Sequence, residues 1–119
     1  MEDDKLRQGV ALFNLGEYFR AHEIWEEVWL IAAENDKVFL QGMIQLAAAF
    51  HHHTRGNVNG TRSLLEAGLK KLRKFPAEYR GMKLNAVRDT AGGVLETLAK
   101  GDHIAPDDLP RIELADQNR

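Results

Sequence analysis

Apolar side chains recur every three or four positions along most of this chain, a spacing that places them on one face of an α-helix. The two-residue alternation of a half-buried strand is not evident. The pattern predicts helices over residues 3–15, 18–33, 37–55, 59–74 and 78–100. Because few residues separate them, neighbouring helices are expected to be antiparallel. We therefore expect an all-α, single-domain bundle of about five antiparallel helices over residues 1–101, followed by an extended tail over residues 102–119.

Glycine, asparagine and aspartate residues mark the expected helix ends. Gly16, Gly56 and Gly101 each follow a helical segment, where glycine readily adopts the left-handed conformation that ends helices. Asn35 or Asp36 is expected to cap the third helix and Asn59 the fourth, because their side chains can accept hydrogen bonds from free backbone N–H groups.

The C-terminal part of the chain is expected to depart from regular helix in two places. The pair Gly92-Gly93 lies inside the fifth predicted helix, where it weakens the helix and favours a bend. Beyond Gly101, the prolines Pro106 and Pro110 favour an extended tail. Three apolar tail residues are expected to pin it to the bundle: Leu109, Ile112 and Leu114.

The second predicted helix carries a histidine, a glutamate and a tryptophan at helical spacing: His22, Glu26 and Trp29. At about 100° per residue, His22 falls within the apolar face and Glu26 at its rim. The i,i+4 spacing brings the two side chains together. A buried histidine and glutamate need polar partners, and such pairs often form part of catalytic or binding sites.

The third predicted helix is apolar nearly all round but carries a polar stripe formed by Gln41, Gln45 and His52, with Ala48 leaving space beside it. Since this helix follows the second one antiparallel, we expect the stripe to face the histidine–glutamate pair. His51 and His53 splay away from His52 and are expected at the helix end. The predicted polar cluster comprises His22, Glu26, Trp29, Gln41, Gln45 and His52.

Three interpretations of this cluster remain open. It can be a structural hydrogen-bonded network that fixes helix register. It can bind a small ligand, or a divalent metal such as zinc or iron coordinated by His22, Glu26 and His52. With such a metal, the protein could act as a metal-dependent hydrolase in which Glu26 or His22 is the catalytic residue. The zincin motif is not met, because position 26 is glutamate where that motif requires its second histidine.

The third interpretation is a helical protein-interaction module, and it rests on charge. The net charge is −2, but charge is unevenly distributed along the chain. Segment 37–88 has ten basic and two acidic residues, and lysine and arginine are most frequent over residues 70–88. Nucleic-acid binding is disfavoured, because no binding motif or aromatic interleaving accompanies these charges. A homodimer is compatible with all three interpretations.

Composition excludes several other classes. The 119 residues suit one domain, and with no cysteine there is neither a disulfide framework nor thiolate chemistry. No apolar run reaches the roughly 20 residues that span a bilayer, so no membrane association is expected. The acidic start lacks the apolar core of a signal peptide, and we expect a cytoplasmic protein.

The chain resembles the DUF309 family of small all-helical bacterial and archaeal proteins. The resemblance runs from about Leu12 to Pro76 and rests on the following residues: His22, Glu26 and Trp29, the stretch 39–47, Arg55-Gly56-Asn57 and Leu64-Leu65-Glu66. It implies a helical fold and draws attention to the same histidine–glutamate pair. It implies no activity, because none is established for the family.

Overall fold

Five helices account for most of the computed structural model, which describes residues 3–115. They are α1 (Asp3–Asn14), α2 (Tyr18–Ile31), α3 (Glu34–Thr54), α4 (Val58–Leu72) and α5 (Leu84–Ala99). A small antiparallel hairpin, β1 (Glu78–Tyr79) and β2 (Met82–Lys83), precedes α5, and a short 3-10 helix spans Pro106–Asp108. The expected all-α fold is confirmed, and the last residues of the predicted tail, 116–119, lie outside the described residues.

Helix α3 lies at the centre of the fold because it is apolar on nearly all sides. It packs against α2 on one side and α4 on the other. The largest buried side chains in this core are aromatic: Phe13, Trp25, Phe39 and Phe50. The ring centroids of Phe13 and Phe50 lie 5.9 Å apart in an edge-to-face arrangement, which favours a fixed packing of α1 against α3.

Two of the expected helix starts are wrong. Helix α3 begins at Glu34, so Asn35 and Asp36 lie in its first turn instead of capping it. Helix α4 begins at Val58, and its cap is Asn57 instead of Asn59, since the Asn57 side chain accepts a hydrogen bond from the backbone N–H of Gly60. The error at α4 comes from choosing between two nearby asparagines, whereas α3 begins after Ala33, which makes no side-chain cap and gives no capping signal.

The expected helical start at residue 78 is also wrong. Residues 78–83 form the hairpin, with Tyr79 paired to Met82, and α5 begins only at Leu84. The two turn residues, Arg80 and Gly81, have φ angles of 50° and 79°, and positive φ at both positions is the mark of a tight type I′ hairpin turn. Helix α5 continues through Gly92-Gly93.

The C-terminal segment lies along the hairpin. The backbone N–H of Lys83 donates to the carbonyl of Glu113 (2.9 Å), and that of Ala115 donates to the carbonyl of Gly81 (2.7 Å). Ile112 is buried and Leu109 packs against the core, as expected. Leu114 is exposed, although it forms a backbone bridge with Met82.

The helices found between residues 3 and 115 are all too short or too polar to cross a membrane.

Candidate functional site: a histidine pocket between α2 and α3

A pocket of about 140 Å³ opens where the N-terminal half of α2 meets the C-terminal end of α3. Because the two helices are antiparallel, these ends lie side by side. We call it the histidine pocket, and its lining consists of Phe19 and His22 from α2 and Ala48, His51 and His52 from α3. Ala48 leaves the space that a larger residue would fill.

Aromatic rings form one wall of the histidine pocket. The ring of Phe19 stacks on that of His22, with centroids 5.6 Å apart and an interplanar angle of 24°. The same ring lies 5.2 Å from that of His51. Phe19 therefore links histidines of two helices. The sequence pattern did not single it out, although its i,i+3 relation to His22 was a usable signal.

The structure brings His22 and Glu26 together, as their spacing predicts. His22 Nε2 lies 3.4 Å from Glu26 Oε2, and the side chains are 23% and 53% exposed. The other ring nitrogen of His22, Nδ1, is buried and has no hydrogen-bond partner among residues 3–115. With Nε2–H directed towards the carboxylate, Nδ1 is an unused acceptor in the neutral ring and an unused donor in the protonated ring.

His52 is held from outside the pocket by the turn between α3 and α4. Asn57 Nδ2 lies 3.0 Å from His52 Nδ1, and Asn57 Oδ1 accepts from the backbone N–H of Gly60 (2.9 Å). The backbone N–H of Asn57 also donates to the carbonyl of His52 (3.0 Å). Asn57 thus contacts both the side chain and the main chain of His52.

The other residues of the predicted cluster lie elsewhere. Gln45 accepts a hydrogen bond from Lys71 of α4 (2.9 Å), so this part of the α3 stripe faces α4 instead of α2. The ring of Trp29 lies under the ammonium group of Lys37, 4.8 Å from its centroid. Gln41 is half-buried on α3 and does not line the histidine pocket.

A metal centre at His22, Glu26 and His52 receives no support from this geometry. In the described part of the chain, no three histidine, aspartate or glutamate side chains are grouped closely enough to hold a metal ion. His22 and His52 share the pocket, but Glu26 is not part of its lining.

The basic segment 70–88 is partly committed to the fold. Lys71 binds Gln45, Arg80 binds Asp36 and Lys83 binds Glu113. Arg88 donates to the carbonyls of Leu72 (2.8 Å) and Phe75 (2.7 Å) and so satisfies backbone groups at the end of α4. These contacts explain much of the basic charge without a partner.

Uncharacterized proteins of two organisms are similar to this chain over part of their own length. An uncharacterized protein of Aquifex aeolicus (strain VF5) is 32% identical over 102 residues, which are 85% of this chain and 31% of that protein. The uncharacterized protein YpuF of Bacillus subtilis (strain 168) is 37% identical over 68 residues, 56% of this chain and 37% of that protein. The chain thus spans about a third of the length of these curated relatives.

The family model described as a domain of unknown function, DUF309, matches residues 6–64. This segment contains most of α1, all of α2 and α3, and the first half of α4. It therefore includes every residue that lines the histidine pocket, together with Asn57 and Gly60. Through this segment, the chain belongs to the DUF309 family.

Proposed function

We propose that this domain binds a small ligand in the histidine pocket. The observation that carries the proposal is a cavity walled by three imidazole rings and the ring of Phe19, at which a buried nitrogen of His22 has no partner within residues 3–115. Buried polar atoms in folded proteins are nearly always hydrogen-bonded, so an unpaired one beside a cavity calls for an explanation. Occupation of the pocket, with a small shift of the ring, gives His22 a partner.

The size of the cavity limits what it can hold. About 140 Å³ corresponds to the liquid volume of roughly four or five water molecules. Pockets for drug-sized molecules usually measure about 300–1,000 Å³. The histidine pocket therefore suits a molecule of a few non-hydrogen atoms, or one end group of a larger ligand whose remainder lies outside.

Binding fits the lining better than the other interpretations of the cluster. A purely structural network would use Gln45 and Trp29 to satisfy His22 and Glu26, but Gln45 binds Lys71 and Trp29 lies against Lys37. A metal-dependent hydrolase would need His22, Glu26 and His52 grouped around one ion, but Glu26 does not line this pocket and the three side chains are not grouped as metal ligands within residues 3–115.

The test uses three probes of matched size: butyrate, butyramide and n-butylammonium. We expect at least one of them to shift backbone amide NMR signals around Phe19, His22 and His51, with the millimolar affinity of a very small ligand. The substitution Ala48→Leu fills the cavity and should abolish these shifts. Ala86→Leu, at an exposed position of α5, is the matched control and should leave them intact.

The proposal is wrong if none of the probes shifts these signals, or if Ala48→Leu changes nothing while its circular dichroism matches that of the parent protein.

A further inference from the structure

We infer that Asn57 holds His52 in the tautomer protonated at Nε2, and that the histidine pocket therefore recognises an oxygen acceptor on its ligand, a carbonyl or a carboxylate. This inference rests on the proposed function and adds to it the chemical class of the ligand.

The orientation of the Asn57 amide follows from its neighbour. The backbone N–H of Gly60 can only donate, so the Asn57 atom 2.9 Å away must be the oxygen, Oδ1. The Nδ2 group, which also can only donate, then lies 3.0 Å from His52 Nδ1. His52 Nδ1 must therefore be the acceptor, and the proton of the ring lies on Nε2.

The surrounding turn holds this arrangement in place. Gly56, with φ of 75°, and Asn57 donate their backbone N–H groups to the carbonyls of His53 and His52, which closes the end of α3. A Cβ at Gly60 would lie 2.6 Å from Asn57 Nδ2 and 3.1 Å from His52 Nδ1, so only glycine lets the start of α4 approach this closely.

The tautomer decides what the pocket can recognise. His52 lines the pocket, and with Nδ1 engaged by Asn57 its remaining polar atom is Nε2–H, a donor. A donor selects a ligand that presents an acceptor, and Phe19 and Ala48 provide an apolar surface beside it. A metal ion would need a free electron pair on Nε2, whereas metal-binding histidines donate their other N–H to an acceptor, the reverse of the contact with Asn57.

The tautomer can be read directly. With ¹⁵N-labelled histidine, long-range proton–nitrogen NMR spectra distinguish Nδ1–H from Nε2–H rings, and we expect His52 to be Nε2–H. The substitution Asn57→Asp keeps an oxygen for the N–H of Gly60 but turns a second oxygen towards Nδ1. At a pH above the pKa of free imidazole, the His52 ring of this variant should be the Nδ1–H tautomer. Asn59→Asp adds the same charge at an exposed position in the first turn of α4 and should leave the tautomer unchanged.

The ligand class is read from the same three probes. Butyramide and butyrate should bind at least about tenfold more tightly than n-butylammonium, the effect of roughly one hydrogen bond. Asn57→Asp should weaken binding of butyrate, which can only accept, by a similar factor, and Asn59→Asp, which adds the same charge, should not. Tighter binding of butyrate than of butyramide identifies a carboxylate ligand, and the opposite order identifies a neutral carbonyl.

The possible failures are distinguishable. If n-butylammonium binds the pocket as well as butyramide does, or if His52 is protonated at Nδ1 in the parent protein, the ligand class is wrong while the proposed function stands. If no probe binds, both fail.

Discussion

Asp36, in the first turn of α3, forms an ion pair with Arg80 at the tip of the β-hairpin. Arg80 Nε also donates to Asp36 Oδ1 (3.1 Å), and the hydroxyl of Tyr79 donates to the same oxygen (2.7 Å). The side chain of Asp36 is only 7% exposed, whereas that of Arg80 is 40% exposed. This contact joins the hairpin to the central helix and supports the positive φ of Arg80, which is uncommon for a residue other than glycine.

Replacing Asp36 by asparagine should destabilise the fold. The amide can still accept from Tyr79, but its NH₂ group faces the donors of Arg80 and the ionic contact is lost. Hydrogen bonds to charged groups contribute about 1.5–3 kcal/mol each, and the partial exposure of Arg80 lets water replace part of the loss. We expect the free energy of unfolding in urea to fall by about 1–3 kcal/mol. Asp107→Asn, at an exposed position, is the control, and equal stability of the two variants would contradict a role for the ion pair.

The same contact predicts a pH dependence of stability. Burial raises the pKa of the Asp36 carboxyl, but the hydrogen bonds from Arg80 and Tyr79 and the charge of Arg80 outweigh it and hold the pKa below its ordinary value. A carboxyl whose pKa is lower in the folded state than in the unfolded chain, where it is about 3.9, stabilises the fold above that pH. This stabilisation should disappear as the pH falls through the folded-state pKa.

The measurement compares free energies of unfolding of the parent protein and of Asp36→Asn between about pH 7 and pH 2. The difference between the two proteins should be constant above about pH 5 and should shrink as the carboxyl becomes protonated. A difference that stays the same down to the lowest pH would show that Asp36 does not titrate with the predicted shift.

The contact between Asp36 and Arg80 also shows what the sequence could not predict. The two residues are 44 positions apart, and nothing local to either one indicates the other. The hairpin that presents Arg80 has strands of only two residues each, too short for their alternation to stand out from a helical pattern. By contrast, the pairing of His22 with Glu26 depends only on helical geometry within α2, and the sequence was enough to predict it.

Within α3, helical rotation placed Gln45 and His52 on one stripe, but rotation alone does not say which neighbouring helix each part of a stripe meets. Because α3 is buried between α2 and α4, a small angular difference sends Gln45 to Lys71 of α4 and leaves His52 at the histidine pocket beside α2. The five-helix fold was predictable because apolar periodicity is repeated over many residues. The neighbouring helix that a single polar side chain contacts could not be predicted, because it depends on the packing of three helices at once.

A third prediction concerns the close contact between α1 and Trp25. The indole packs directly on Gly9, where an added Cβ would lie within 2.5 Å of Trp25 Cε2, and its Nε1 donates to the carbonyl of Leu6 (3.1 Å). Gly9→Ala should displace the ring and weaken this buried hydrogen bond. Overpacking lowers the free energy of unfolding by about 1–3 kcal/mol, whereas the better helix propensity of alanine raises it by up to about 1 kcal/mol. We therefore expect a net loss of stability.

Gly93 of α5 is the matched control for Gly9→Ala. It also lies within a helix, but an added Cβ there would meet no atom of residues 3–115 within 4 Å. Gly93→Ala should therefore stabilise the protein by up to about 1 kcal/mol, through helix propensity alone. Urea unfolding gives both values, and near-ultraviolet circular dichroism reports the displacement of Trp25. A Gly9→Ala variant as stable as Gly93→Ala would refute the tight packing.

The last prediction concerns the attachment of the C-terminal segment to the end of α1. The side chain of Asn14 donates from Nδ2 to the carbonyl of Ile112 (2.9 Å) and accepts at Oδ1 from the N–H of Ile112 (2.7 Å). Arg111 adds a bond to the carbonyl of Asn14 (3.1 Å). Asn14→Ala removes both hydrogen-bond partners from the backbone of buried Ile112, and it should lower the free energy of unfolding by about 1–3 kcal/mol. Local detachment of the C-terminal segment should then be more frequent than global unfolding.

Trypsin reports this release, because cleavage after Arg111 requires the segment to leave the surface. We expect faster cleavage at Arg111 in Asn14→Ala, with unchanged cleavage after Lys74 between α4 and the hairpin. Asn85→Ala, at an exposed position of α5, should behave like the parent protein. Asn14→Asp keeps the acceptor for the N–H of Ile112 but sets a second oxygen against the carbonyl of Ile112, so its cleavage rate should also exceed that of the parent protein. If all four proteins are cut at Arg111 at one rate, Asn14 does not hold the segment.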